Sequence, residues 1–184
     1  MQICLFYLLM ELQATPGRYS HTVALATMGF QFCGGSLIAP DTVLTAAHCM
    51  DGSPFDVIIN RHDLRTNDGE TITRKKEMKH PQYNSNTMNN DFALVFLEKG
   101  TTERVDFVKL NQDNLYPAAG STARSMGWGT TSSGGSSSNV LREVDLPLIT
   151  NSDCDQKYPS YDIYSSNICT FQPGKDSCQG DSGE

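Results

Sequence analysis

Phe32-Cys33-Gly34-Gly35-Ser36-Leu37-Ile38 and, a few residues on, Leu44-Thr45-Ala46-Ala47-His48-Cys49 decide how this chain is read. A short apolar run meets two glycines, resumes as Ser36-Leu37-Ile38-Ala39, turns at Pro40-Asp41, and resumes again at Val43-Leu44-Thr45. Short apolar runs bounded by turn residues read as strands. Outward from here the pattern repeats. His21–Thr27 alternates with a period of two, and Asp56–Ile59, Glu70–Thr73 and Phe92–Leu97 follow. Beyond Asn111 come Ser121–Met126 and Leu141–Leu146. Helix is confined to a turn at Ala46–Cys49 and a short piece near Ser152–Tyr158, with a serine or aspartate as its cap. The expectation is an all-β barrel or sandwich.

Composition narrows the function class. The 184 residues are 38% hydrophobic and 19% charged, with 15 Gly and 8 Pro, which suits a turn-rich globular chain. The formal charge is −7 and no basic stripe stands out, so nucleic acid is not an expected partner. Met1–Met10 is apolar but too short to span a bilayer as a helix, and no Lys or Arg precedes Arg18. A signal-peptide core, a misplaced start and an apolar first strand all remain open for it, and no membrane span is expected elsewhere. Six cysteines, at positions 4, 33, 49, 154, 169 and 178, point to an oxidising compartment. Residues 130–139, rich in Ser and Gly, bury nothing and read as a surface loop.

Three side chains offer chemistry. Ser182 stands in Gly180-Asp181-Ser182-Gly183, His48 follows two small alanines, and Asp91 precedes an apolar run. A serine hydroxyl needs a base to become a nucleophile, and imidazole titrates near neutrality. His21, His62 and His80 read as surface or satisfied residues, and no zinc-binding spacing occurs, so no metal and no cofactor are expected.

The motifs around His48, Asp91 and Ser182 resemble the chymotrypsin/trypsin-like serine protease family, from about Ala14 to Gly183. The resemblance implies a two-barrel fold with residues 1–13 as a leader or misassigned start, 14–110 as a first β-barrel, and 111–184 as a partial second one. It implies His48, Asp91 and Ser182 as a catalytic triad, and the amides of Gly180 and Ser182 as an oxyanion hole. Asp176 would sit at the base of the primary pocket and select Arg or Lys. Cys33 would pair with Cys49 and Cys154 with Cys169, each loop worth about 3 kcal/mol. Cys178 would pair further downstream, Cys4 matches nothing, and Trp128 would pack structurally.

The family motif continues past Gly183 into further strands, so the second barrel is expected to be incomplete in this sequence. No Ile-Val-Gly-Gly-like start with a preceding basic residue is seen, and Asp181, which would pair with such a terminus, is expected to stay exposed. The expected activity is a secreted, trypsin-like endopeptidase acting on proteins and peptides and open to protein inhibitors. The alternatives are a protease-like binding module without turnover and a gene-model fragment that does not fold.

Overall fold

The computed structural model describes residues 12–113, 116–131, 135–173 and 181–183. Its strands are β1 (Leu12–Gln13), β2 (Thr22–Thr27), β3 (Phe30–Ala39), β4 (Thr42–Thr45), β5 (Asp56–Ile59), β6 (Glu70–Lys79), β7 (Ala93–Leu97), β8 (Thr122–Gly127), β9 (Arg142–Ile149) and β10 (Cys169–Thr170). A 3-10 turn covers Ala47–Cys49, and the helix α1 covers Asn151–Lys157. The fold is all-β, as the strand pattern predicts.

Strands β2, β3, β4, β7, β6 and β5 pair in that order, and β5 returns to β2 to close a barrel. Alternation fills it: Val23, Leu25, Leu37, Val43, Val57, Ile59 and Val95 all point inward and have no exposed surface. Each such side chain contributes about 1.5–3 kcal/mol through its removal from water. The second sheet is built on β9, which carries β8 along Arg142–Pro147, β1 at Arg142–Glu143, and β10 at Leu148–Ile149. Leu12 and Gln13, which the sequence reading left in the leader, are thus strand residues of this sheet.

The two halves meet through β2, whose Thr22–Ala26 is buried on both faces. Val23 and Leu25 face the barrel core, while Ala24 and Ala26, with Ile58 of β5, face Trp128, Leu141 and Ala14. Alanines on that face leave room for the indole, which is 1% exposed. The carbonyl of His62 accepts both Trp128 Nε1–H at 3.1 Å and the Leu141 amide at 2.9 Å. The Leu64 amide donates to Asn139 at 2.8 Å, so the loop after β5 clasps the second half through backbone groups. Arg18, Tyr19 and Arg124 gather around the Glu143 carboxylate on the same seam.

Three elements differ from their sequence reading. The Gly34-Gly35 pair does not interrupt a strand but lies within β3. A Cβ on Gly35 would stand 2.6 Å from Val43 Cγ1 and 3.1 Å from the Leu44 carbonyl, so the glycine answers to close packing against β4. Strand β6 runs on to Lys79, past the stretch Glu70–Thr73. A bulge between Arg74 and Lys76 resets the alternation there, which hides a charged strand from a period-two reading. The helix cap is Thr150, not a serine or aspartate: its Oγ1 accepts the Asp153 amide at 3.0 Å.

Gly35→Ala is expected to destabilise the chain by about 1–3 kcal/mol, because Val43 is locked in the core and the Leu44 carbonyl is backbone. Urea unfolding followed by the single tryptophan measures this. An unchanged midpoint would mean that β3 and β4 are not packed this closely.

Candidate active site

Strand pairing brings the histidine and the aspartate together. In the β4/β7 ladder Thr45 lies opposite Ala93. The chain leaving β4 reaches His48 after Ala46 and Ala47, and the chain entering β7 passes Asp91 just before it. Residues far apart in sequence therefore share one end of one strand pair. Ala47 is fully buried, so the turn packs tightly on the barrel. The Cys33–Cys49 disulfide ties that turn to β3, as expected, and Cys154–Cys169 ties α1 to β10. Cys4 and Cys178 lie outside the described residues.

Asp91 grips His48 at two points. One carboxylate oxygen accepts the His48 amide at 2.8 Å, and the other faces Nδ1 at 2.6 Å. An ionised carboxylate can only accept, so the proton sits on Nδ1 and Nε2 is left as the basic nitrogen. Burial pushes the Asp91 carboxyl up, but the hydrogen bonds from the His48 ring and amide, the His48 charge and the Ala47 amide together outweigh it. Its pKa is therefore held below the ordinary 3.8. The side chains are 33% and 20% exposed, so the pair is open to a ligand on the histidine side. Tyr83, whose hydroxyl is pushed up in pKa by burial and by the Asp91 charge, packs against the core beside them.

Ser182 reaches the same place from the other half. Its carbonyl accepts the Gly34 amide at 2.9 Å. Cys49 Sγ lies 3.7 Å from that carbonyl, a contact and not a hydrogen bond, since a disulfide sulfur carries no proton. Gly183, with φ +93°, lies so close to the barrel that a Cβ would stand 2.3 Å from Thr45 Oγ1 and 2.7 Å from the Gly34 carbonyl. Thr45 Oγ1–H is itself bonded to that carbonyl at 2.7 Å, which fixes the notch. Among the described residues no hydrogen bond joins Ser182 Oγ to His48. In unliganded sites such contacts are often long and tighten with substrate.

On the other side of Ser182, Asp181 is half-buried, and its Oδ1 accepts the Gly129 amide at 2.6 Å. The expectation that it stays exposed is corrected: a backbone N–H just after Trp128 supplies a partner. Gly129 has no Cβ because one would fall 2.5 Å from that carboxylate. The Ser182 segment is thus held by the second half through Asp181 and by the barrel through Ser182 and Gly183. Asp176 and Gly180 lie outside the described residues, so neither the pocket base nor that oxyanion amide is seen here.

A pocket of about 230 Å³ opens beside His48, lined by the disulfide, Phe32, Phe55, Asp51 and Thr27 among others. Phe32 stands edge-on to Phe55 at 5.6 Å. Sequence reading missed this pocket, together with the seating roles of Thr45 and Gly34. Thr45 and Phe32 stand inside the motifs that were read, though without these roles, and no spacing rule ties Phe55 or Asp51 to them. Of the other histidines, His21 packs edge-on to Tyr19, His62 meets Gln13 at 3.0 Å, and His80 lies against Phe92. Cys33, His48 and Cys49 form the one three-residue group of potential metal ligands among the described residues, but a disulfide has no thiolate to offer.

A closed barrel joined to a second sheet, with a serine segment seated beside a carboxylate-held histidine, defines a class of serine hydrolase architecture. A sequence profile of the trypsin family matches residues 11–184. Brachyurin of Leptuca pugilator is 36% identical over 176 residues, covering 93% of this chain and 77% of its own length. Trypsin I-P1 of Gallus gallus is 42% identical over 160 residues, covering 84% of this chain and 64% of its own. Trypsin of Squalus acanthias is 37% identical over 168 residues, covering 88% and 71%. This chain belongs to the trypsin family of serine endopeptidases. It spans 64–77% of the length of these three relatives.

Asp91→Asn is expected to destabilise the chain at neutral pH by about 1–3 kcal/mol, since one amide oxygen cannot serve both His48 donors. Because the folded carboxyl is held below its ordinary 3.8, the gap to the parent chain is full above that pH and closes as pH falls through the lowered value. Urea midpoints of both chains between neutral and strongly acid pH check this. A gap independent of pH would show that Asp91 carries no stabilised charge.

Proposed function

We propose that this chain carries the catalytic part of a secreted endopeptidase that cleaves after Arg or Lys through Ser182, His48 and Asp91. The observation that carries the reading is the two-point hold of Asp91 on His48, with Ser182 seated one hydrogen bond from the strand to which that turn is stapled. Ser182 Oγ attacks the substrate carbonyl carbon and passes its proton to His48 Nε2. The resulting oxyanion is met by the Ser182 amide and, on this reading, that of Gly180. His48 returns the proton to the leaving amine, the C–N bond breaks, and an acyl ester stays on Ser182. Water, deprotonated by the same nitrogen, then releases the acid. Asp91 keeps the ring in its tautomer and stabilises the imidazolium that forms.

Selection of Arg or Lys rests on Asp176 alone and on the sequence motif in which it stands. Secretion is supported by the two disulfides, which need an oxidising compartment. Proteins and peptides are the proposed substrates, and protein inhibitors are proposed partners. Among the described residues no helix is long and apolar enough to cross a membrane. The alternative of a binding module without turnover has no specific observation in its favour.

A fluorophosphonate probe should label Ser182 and no other residue, as located by peptide mapping. Ser182→Ala should abolish labelling, and His48→Ala should slow it by roughly 10³-fold or more. Equal labelling of the parent and His48→Ala chains would remove His48 as the base. In a cleaving preparation, Asp176→Ser should lower the preference for Arg and Lys roughly tenfold to a hundredfold, the worth of a charge-assisted bond.

A further inference from the structure

Asp91 stands near the neck of a narrow loop that runs from His80 to Phe92. The His80 amide donates to the Phe92 carbonyl at 3.0 Å, and the Asn84 amide donates to the Asn89 carbonyl at 3.0 Å. Between these two backbone rungs the tie is a side chain: Asn90 Nδ2–H donates to the Gln82 carbonyl at 3.0 Å. Asp91 follows directly. The Phe92 amide bonds back to the Asn90 carbonyl at 2.9 Å, so Asp91 is the middle of a three-residue turn.

The backbone ahead of this turn is left-handed. Met88 and Asn90 both have φ +56°, and they are two of the four non-glycine residues with positive φ among the described residues. Such conformations cost energy for most side chains and cluster where a site dictates the backbone. Asparagine tolerates the left-handed region better than most residues. It can also reach across the loop, where an ionised aspartate has no N–H to give the Gln82 carbonyl and glycine has no side chain. Position 90 uses both properties at once.

The direction of the Asp91 side chain is what this arrangement sets. Its two oxygens serve two donors of one residue, the His48 amide at 2.8 Å and Nδ1 at 2.6 Å. A carboxylate gripping at two points has little freedom to turn, so the backbone must deliver it already aimed. We propose that Asn90 is a positioning residue for the base. Its left-handed backbone and its tie to Gln82 aim the Asp91 carboxylate at His48, which keeps the ring proton on Nδ1 and leaves Nε2 free for Ser182. The proposal rests on the endopeptidase reading and deepens it.

The test compares the parent chain with Asn90→Gly and Asn90→Ala. Glycine keeps the left-handed backbone without strain but loses the tie, whereas alanine loses the tie and is strained there too. The first readout is the His48 tautomer, from nitrogen NMR of the isotope-labelled chain in alkaline solution, where an imidazole is neutral. The His48 signals are assigned by their loss in His48→Ala. The parent should hold the proton on Nδ1, Asn90→Ala should move a measurable share of it to Nε2, and Asn90→Gly a smaller share. A loss of stability alone leaves the tautomer of the folded molecules where it was. The second readout is fluorophosphonate labelling at Ser182, which should slow roughly tenfold in Asn90→Ala and less in Asn90→Gly. Added to Asp91→Asn, Asn90→Ala should slow it no further, because residues that act through one another are not additive. An unchanged tautomer in Asn90→Ala, equal effects of the two substitutions, or a full Asn90 effect in the Asp91→Asn chain overturns the proposal. If Asn90→Ala does not fold, Asn90→Gly decides alone, and a parent-like tautomer and rate in it overturn the proposal. A parent chain that does not label sinks the endopeptidase reading, while the tautomer still decides the role of Asn90.

Discussion

The pairing of β4 with β7 is the constraint on which the site depends. Their ladder puts Thr45 beside Ala93, and from that fixed point the histidine turn leaves one strand as the aspartate enters the other. No feature of His48 or Asp91 alone would make them meet. Once they meet, the carboxylate satisfies both the backbone and the ring of the same residue, which is a strong constraint because a half-buried charge must find its hydrogen bonds. The disulfide from Cys49 to β3 then limits how far the turn can move.

The serine segment adds a second constraint of a different kind. It belongs to neither half by itself: Asp181 is tied to Gly129, while Ser182 and Gly183 are pressed into the notch of Gly34 and Thr45. Its position therefore follows from how the halves dock. That docking depends on β2 being apolar on both faces, with valine and leucine inward and alanines outward under Trp128. The carbonyl of His62 closes the joint by accepting two donors from the far side. A change at the Trp128 seam would thus reach the serine segment without touching His48 or Asp91.

Much of this was legible before any coordinates. Strands β2, β4, β5, β7 and β8 are short apolar runs between turn residues and fall within a residue of their sequence bounds. Chemistry-bearing residues were legible because serine, histidine and aspartate stand in motifs that resemble a known family. The misses have physical causes. Gly34 and Gly35 carry the mark of a turn, yet Gly35 serves close strand packing and Gly34 meets the serine segment through its backbone, which no local rule distinguishes. The far end of β6 is charged and bulged, so it carries no period-two signal. Asp181 finds its partner in a backbone amide from another sheet, and a backbone amide leaves no trace in the sequence.

By itself the sequence determined the all-β class, the motifs in which Ser182, His48 and Asp91 stand, and the cysteines that pair in the two disulfides, because these follow from local patterning and from resemblance to a known family. Only the tertiary structure decided which groups face one another: the two-point hold on His48, the seating of Ser182 against Gly34, and the burial of Trp128 against Ala24 and Ala26. Those depend on barrel closure, strand register and the docking of two sheets. Each is a sum over many weak contacts between residues distant in the chain, which no single stretch of sequence encodes.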